Sequence, residues 1–289
     1  RVGWQTLNWG EGLFISNALN DHNPQQAATY RQPVTPLGDG FLPGNLLHLS
    51  QALGDHWQVE GFYQLSWDAD VAENCSTFFS PTDYQTPGCS DNLAVLRTQA
   101  QVASQYGQSA LNTLQGLGVQ WNTPDEGVLV SRGADQEPGD SGQFGLALHY
   151  FAVPLDTRFG AYALHINSRQ AYMGIRAADQ ATYSAAQGQG DLAPLVVAGN
   201  SQYFMAYPED LQTYGLSFSS LLLNGTTWAG ELSYRPNAPL QLNSVDLLAA
   251  TQTPLDASQS PLQLSPGQTL SGYRRKDITQ LQTSLSQVF

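Results

Sequence analysis

Lysine is nearly missing from these 289 residues: Lys276 stands alone. Lysine and arginine together number 11 against 24 aspartates and glutamates, a formal charge of −13. Binding phosphate backbones needs a basic footprint, so a general nucleic-acid-binding surface is excluded. Charge of either sign is scarce, at 12% of residues, about half of what a soluble domain usually carries. Glycine, serine, threonine, asparagine and glutamine supply the polarity instead. No apolar run approaches the roughly 20 residues of a membrane helix, which excludes a helical membrane protein but not a strand-built one. Cysteine is limited to Cys75 and Cys89, both in one polar stretch rich in turn residues. A bridge between them closes a loop of about 15 residues, worth roughly 3 kcal/mol in the chain-entropy model. Such a bridge points to an oxidising compartment, with two unrelated free thiols as the alternative. Arg1 already begins strand-like sequence, so no leader is expected within these residues. The expectation is that processing removed the start or that this is an internal piece of a longer chain.

What is present is alternation. In His56–Trp67, HWQVEGFYQLSW, every second residue (Trp57, Val59, Gly61, Tyr63, Leu65, Trp67) forms one face. Gln58, Glu60, Phe62, Gln64 and Ser66 form the other. A period of two means a β-strand. Its length is nearer the roughly 9–11 residues that cross a bilayer at a tilt than the 5–6 usual in a soluble core. The apolar face begins and ends in Trp, as expected where aromatic rings mark the two interfaces of a lipid-facing belt. A long strand of a soluble sandwich is the alternative for this one segment.

About eight strands follow from the same pattern: 1–9, around 47–53, 57–67, 143–152, 161–167, 214–222, 227–235 and 276–289. Asn224-Gly225 is the strongest hairpin turn signal. Helices are expected near 92–117 and 177–186, inside long connections. Short turns follow the strands ending near Leu53, Ala152 and Leu223; long excursions follow those ending near Trp9, Trp67, Asn167 and Arg235. In an up-and-down meander this strict alternation puts every long connection at one end, the asymmetry of outer-membrane barrels. The expected fold is therefore all-β: an antiparallel up-and-down transmembrane β-barrel with long extracellular loops and short helices.

Several blocks resemble a known family. They are RVGWQTLNWGEGLFI (1–15), VEGFYQLSW (59–67), DSGQFGLALHYF (140–151), YFMAYPEDLQTYGLSF (203–218), GELSYRPNAPLQL (230–242) and GYRRKDITQLQTSLSQVF (272–289). The Cys75–Phe79 block with its second cysteine after Pro-Gly fits as well. The resemblance is to the Gram-negative outer-membrane proteins catalogued as domain of unknown function 1302. It implies a single transmembrane barrel domain over 1–289, incomplete at both ends because members carry further strands. Trp4 departs from the arginine often found there. The family offers no agreed catalytic residues to transfer. It implies association with an outer-membrane lipoprotein and inner-membrane efflux pumps, and handling of hydrophobic compounds.

No nucleotide, metal or nucleophile motif survives inspection. Ser141 lacks the glycines of an elbow. The histidines at 22, 48, 56, 149 and 165 show no ligand spacing, so no cofactor is expected. Lumen-facing candidates for substrate contact are Glu60, Phe62, Gln64, His149, Phe151, His165, Glu231 and Arg235. The alternative is a structural network in which carboxylates pair with Arg235 or Arg169. Asp135 and Asp140 are candidates to hold divalent cations that bridge to lipopolysaccharide, with a solvated acidic loop as the simpler account. Two functions fit: a gated passage or binding barrel for hydrophobic or amphipathic small molecules, without covalent chemistry, and a docking partner of an export complex. An outer-membrane hydrolase needs Ser, His and an acid to converge at a barrel mouth.

Overall fold

The period-two segments assemble into one eight-stranded antiparallel sheet in the computed structural model, which describes residues 1–12, 18–32, 37–80, 83–89, 93–222 and 225–287. Its strands are β1 (Val2–Gln5), β2 (Gly44–Leu53), β3 (Trp57–Gln64), β4 (Phe144–Ala152), β5 (Thr157–Ile166), β6 (Leu211–Leu221), β7 (Thr227–Gln241) and β8 (Tyr273–Ser286). Each pairs with its predecessor, so chain order is sheet order. β1 and β8 are the two edges; among the described residues they do not pair, and the sheet does not close into a barrel. The short turns lie at one end of this meander and all four long connections at the other. The Asn224 of the strongest turn signal lies outside the described residues, while Gly225 adopts a φ of +80°.

One face of the sheet is apolar and open. Leu49, Trp57, Leu146, Leu216, Trp228 and Leu281 are among its exposed side chains, on six different strands. Register sets Trp57 beside Tyr150, Tyr150 beside Phe159, and Phe159 beside Phe218. Trp228 extends this row, its ring centroid 4.8 Å from that of Phe218. Toward the other end Tyr63 lies beside Phe144 and Tyr214 beside Tyr234. Tyr63 lies six positions along from Trp57, about 20 Å along a strand. Trp57 and Glu60 take opposite faces, as alternation requires.

The opposite face is covered by the chain itself. Leu7, Trp9 and Leu19 bury against Leu46, Phe62, Ala147, Tyr162 and Leu164. A strand over 1–9 is therefore corrected: the ladder stops at Gln5 and the chain turns onto the sheet. Asparagine side chains replace the ladder, since Leu7 N–H donates to Asn23 Oδ1 at 3.1 Å and Trp9 N–H to Asn20 Oδ1 at 2.8 Å. Gly215 makes room for this segment, because a Cβ there would stand 2.5 Å from Leu19 Cδ2.

The other long connections fold together into a cap. Its four-stranded sheet runs Thr269–Leu270, Tyr172–Arg176, Gln202–Ala206, Ser131–Arg132. Around it pack α1 (Gln99–Gly116), α2 (Gln180–Gln187), α3 (Ala193–Asn200) and α4 (Ser244–Ala250). Thr98 starts α1 with a capping box to Gln101. Leu114, Ile175, Val197, Tyr203 and Leu247 are fully buried in one shared core, so these connections carry a hydrophobic core of their own. Trp67 belongs to this junction and not to the open face, another correction. β3 ends at Gln64, and the Trp67 ring meets Tyr207 edge-on at 4.8 Å while its N–H donates to Ser168 O at 3.2 Å.

Candidate functional site

Four polar residues expected to face inward do so, and each holds a loop against the covered face. Glu60 Oε2 accepts from the Trp9 indole at 3.2 Å. Gln64, fully buried, accepts from Arg169 Nη2 at 2.7 Å. Glu231 accepts from Glu11 N–H at 2.8 Å and from the Gln282 amide. Arg235 pairs with Asp21 and reaches Thr213 Oγ1 at 3.3 Å. The Arg235–Asp21 pair is of the kind the network alternative expects, whereas Arg169 is held by carbonyls and Gln64 rather than by a carboxylate. Phe62 stacks between Trp9 and His22, with centroids 5.2 Å and 4.9 Å away. His149 is buried edge-on to Tyr162 at 5.6 Å.

Two candidates are placed differently. His165 is on the open face: its cross-strand neighbour is Phe144, and its Nδ1 lies 3.1 Å from Gly142 O. Tyr162, Leu164 and Ile166 take the covered face instead. Both faces of β5 are apolar, with Ala161 and Ala163 between, so alternation alone misassigns this strand and pairing with β4 decides it. Phe151 lies opposite Arg158 at the end of β4 and is 40% exposed, outside the buried cluster.

The sheet's long-connection end meets the cap around a cavity of about 650 Å³. Ile166, Leu211 and Arg235 contribute from the sheet, Asp21 and Tyr30 from the first connection, and Asp70, Arg169, Tyr172 and Tyr207 from the cap side. A buried cation anchors its floor: Arg169 is 4% exposed and donates to the carbonyls of His22 and Asp68 as well as to Gln64. Burial pulls its pKa down to about 10, which leaves it charged at neutral pH. Burial, then Arg169, pushes His22 down to about 3, so the adjacent imidazole is neutral. Burial raises Asp70 to about 6 although its Oδ1 accepts from Gln25 N–H at 2.8 Å. A smaller recess of about 280 Å³, bordered by Tyr84, Met173 and Met205, adjoins the cavity across Gln170 and Tyr172.

Sequence reasoning missed most of this lining. Asp21, Tyr30, Asp70, Tyr172 and Tyr207 sit in connections without strand periodicity; the one available signal was the density of Tyr and Asp around Pro and Gly in those stretches. The expected Cys75–Cys89 disulfide is present and closes the loop beside the cavity. Asp135 is engaged by Arg132 at 2.7 Å, and Asp140 accepts from Trp67 N–H at 2.8 Å. Among the described residues no group of three or more His, Cys, Asp or Glu side chains is arranged to hold a metal ion.

The arrangement is an amphipathic chamber: tyrosine and aliphatic walls, two ion pairs (Arg31–Glu73 and Arg235–Asp21) and a floor of buried hydrogen bonds around Arg169. No curated protein and no solved structure matches the chain. A family model described as "Protein of unknown function (DUF1302)" matches residues 1–289 in full. The chain accordingly belongs to the DUF1302 family.

Proposed function

We propose that this chain is part of an outer-membrane β-barrel that gives hydrophobic or amphipathic small molecules a gated passage, without covalent chemistry. The cavity between the covered sheet face and the cap carries the reading. Its volume falls within the range typical of small-molecule sites, and its walls mix apolar surface with a few fixed polar groups. The open face supports the membrane setting. An exposed apolar surface across so many strands far exceeds what a soluble monomer tolerates, and rows of aromatic rings bracket it as they do at lipid interfaces. Residues 6–12 and 18–23 would form the gate. They lie against the covered face and are held by side chains (Glu60, Glu231, Arg235) rather than by a strand ladder. Reconstitution of the complete protein in liposomes tests the reading. Selective flux of an apolar solute with little flux of small sugars is the expected result; equal flux of both, or none, refutes it.

A second reading is docking of an export complex, such as a periplasmic lipoprotein and an efflux pump. It draws on one observation: the short turns expose Leu53, Val153, Leu155 and Leu222. Absence of flux together with tight lipoprotein binding would favour it.

A further inference from the structure

One carboxylate of the cavity has no cation. Asp70 lines the space, and none of the ion pairs among the described residues includes it. Its side chain takes one hydrogen bond, at Oδ1 from Gln25 N–H at 2.8 Å. The backbone beside it is pinned on both sides: Asp70 N–H donates to Arg169 O at 3.0 Å and Val71 N–H to Gln25 O at 2.8 Å. The carboxylate is thus held in place at the wall. Arg169 is the cation that acts on it, and Asp70, Asp68 and Asp21 in turn act on Arg169. Asp21 is already paired with Arg235. Asp68 and Asp70 therefore share one guanidinium that ion-pairs with neither, and Asp68 Oδ2 is buried without a hydrogen-bond partner among the described residues. Two carboxylates against one guanidinium leave this side of the cavity with an excess negative charge, where an uncompensated carboxylate is costly.

The rest of the lining suits a cation in a second way. Tyr30, Tyr172 and Tyr207 border the same cavity. Burial raises all three hydroxyls and the Asp70 charge adds to each, so the rings are neutral and within its field. A carboxylate among aromatic rings is the chemistry that recognises an alkylammonium: a counter-charge on one side and ring quadrupoles on the others. The attraction uses the ring and not the hydroxyl, so the bonds from Tyr30 to Gln25 and from Tyr172 to Pro239 O do not compete with it. Val71, Ile166 and Leu211 give an attached apolar body a wall to lie against. The chain's formal charge of −13 draws cations toward it.

We propose that the cavity binds an amphipathic cation, an ammonium group on an apolar body, with Asp70 as its counter-ion and the tyrosine rings around it. This names a ligand class for the passage and, for its part in transport, rests on that reading. Three dansyl probes are titrated onto the complete protein in nanodiscs of uncharged lipid: dansylcholine, a quaternary ammonium, uncharged dansylamide, and anionic dansylglycine. Dansylcholine is expected to bind at least ~10-fold more tightly than dansylamide, one decade in Kd, with dansylglycine weakest. Equal binding of the cation and the amide overturns the ligand class, as does tighter binding of dansylglycine, which would make Arg169 the recognising group. Asp70→Asn is expected to bring dansylcholine down to the level of dansylamide without changing dansylamide; an undiminished preference overturns the role of Asp70. Should that variant fail to fold, displacement of dansylcholine from the parent by tetramethylammonium but not by tert-butanol gives the same discrimination. Tyr30→Leu is expected to weaken dansylcholine several-fold and dansylamide little, and equal effects on the two overturn the part given to the ring. Selective apolar flux without a preference for dansylcholine sinks this inference and leaves the passage standing. The preference without flux of any solute sinks the passage and leaves a cation-binding site.

Discussion

The indole N–H of Trp9 donates to Glu60 Oε2 at 3.2 Å, joining the first long connection to the third strand of the sheet. The ring behind that N–H is 2% exposed and packs on Phe62, His22 and Tyr162. One residue thus both fills the covered face and ties the crossing segment to it. Trp9→Ala is expected to cost about 3–5 kcal/mol, since the surrounding β-strands cannot collapse into the space. The urea unfolding midpoint in detergent measures it; a change below about 1 kcal/mol would mean that the segment is not packed there.

Val59 and Gln58 are adjacent on β3 and face opposite ways. Val59 stands beside Leu148 in the middle of the open face. If that face meets lipid, Val59→Arg should cost about 2–4 kcal/mol in folding into vesicles. Gln58→Arg, on the polar side, should cost much less. Similar losses for the two, or none for Val59→Arg, would count against a lipid-facing surface.

The Cys75–Cys89 bridge spans 14 positions. Closing a loop of that size contributes roughly 3 kcal/mol in the chain-entropy model. Replacing both cysteines by serine should therefore lower stability and open the 75–89 loop to limited proteolysis ahead of the sheet. Identical digestion of the oxidised and serine forms would show that the bridge restrains nothing at the cavity wall.

Asp70 predicts a pH dependence of definite sign. Its folded pKa of about 6 lies above the ordinary 3.8, chiefly through burial. Between these values the folded protein holds a proton that the unfolded chain has lost. Stability then falls as pH rises from about 4 to about 6 and stays low above, by an amount on the order of 2–3 kcal/mol. Asp70→Asn keeps an oxygen to accept from Gln25 and should flatten that slope while raising the midpoint at neutral pH. A thermal-melt series from pH 4 to 7, about 3 units wide, checks it, and an unchanged slope rejects the assignment.

Legibility followed burial. Most sheet strands carry period-two patterns because one face is apolar and open while the other mixes polar groups under the covering segments, so 57–64 and 227–235 could be read residue by residue. β5 could not, because Tyr162-Ala163-Leu164-His165-Ile166 is apolar on both faces. The cap was least visible. Val196 and Val197 in α3 and Met173 and Ile175 in its sheet are buried on all sides, and full burial erases periodicity. The crossing segment was missed for another reason. Trp9 and Leu19 reach the sheet through Asn20 and Asn23, side-chain substitutes for a ladder that leave no regular signal in sequence.

The gate itself is tested at Asp21 and Arg235. This ion pair joins the end of the crossing segment to β7, in a place where each group is less than a third exposed on its side chain. Removing one member leaves the other charge without its partner in a poorly hydrated site, a larger disturbance than removing both. Arg235→Gln should therefore loosen residues 18–23 while β7 stays paired with β6 and β8. In planar bilayers the complete protein with Arg235→Gln is expected to show longer or more frequent openings than the parent. Asp21→Asn alone should act in the same direction, since Arg235 would then lack its carboxylate. The double variant should return toward the parent, because two neutral amides can still hydrogen-bond across the gap. That non-additive pattern separates a latch from general destabilisation, which would make the double variant the worst of the three. Openings identical in all four proteins would mean that the segment anchored by Asp21 does not close the passage.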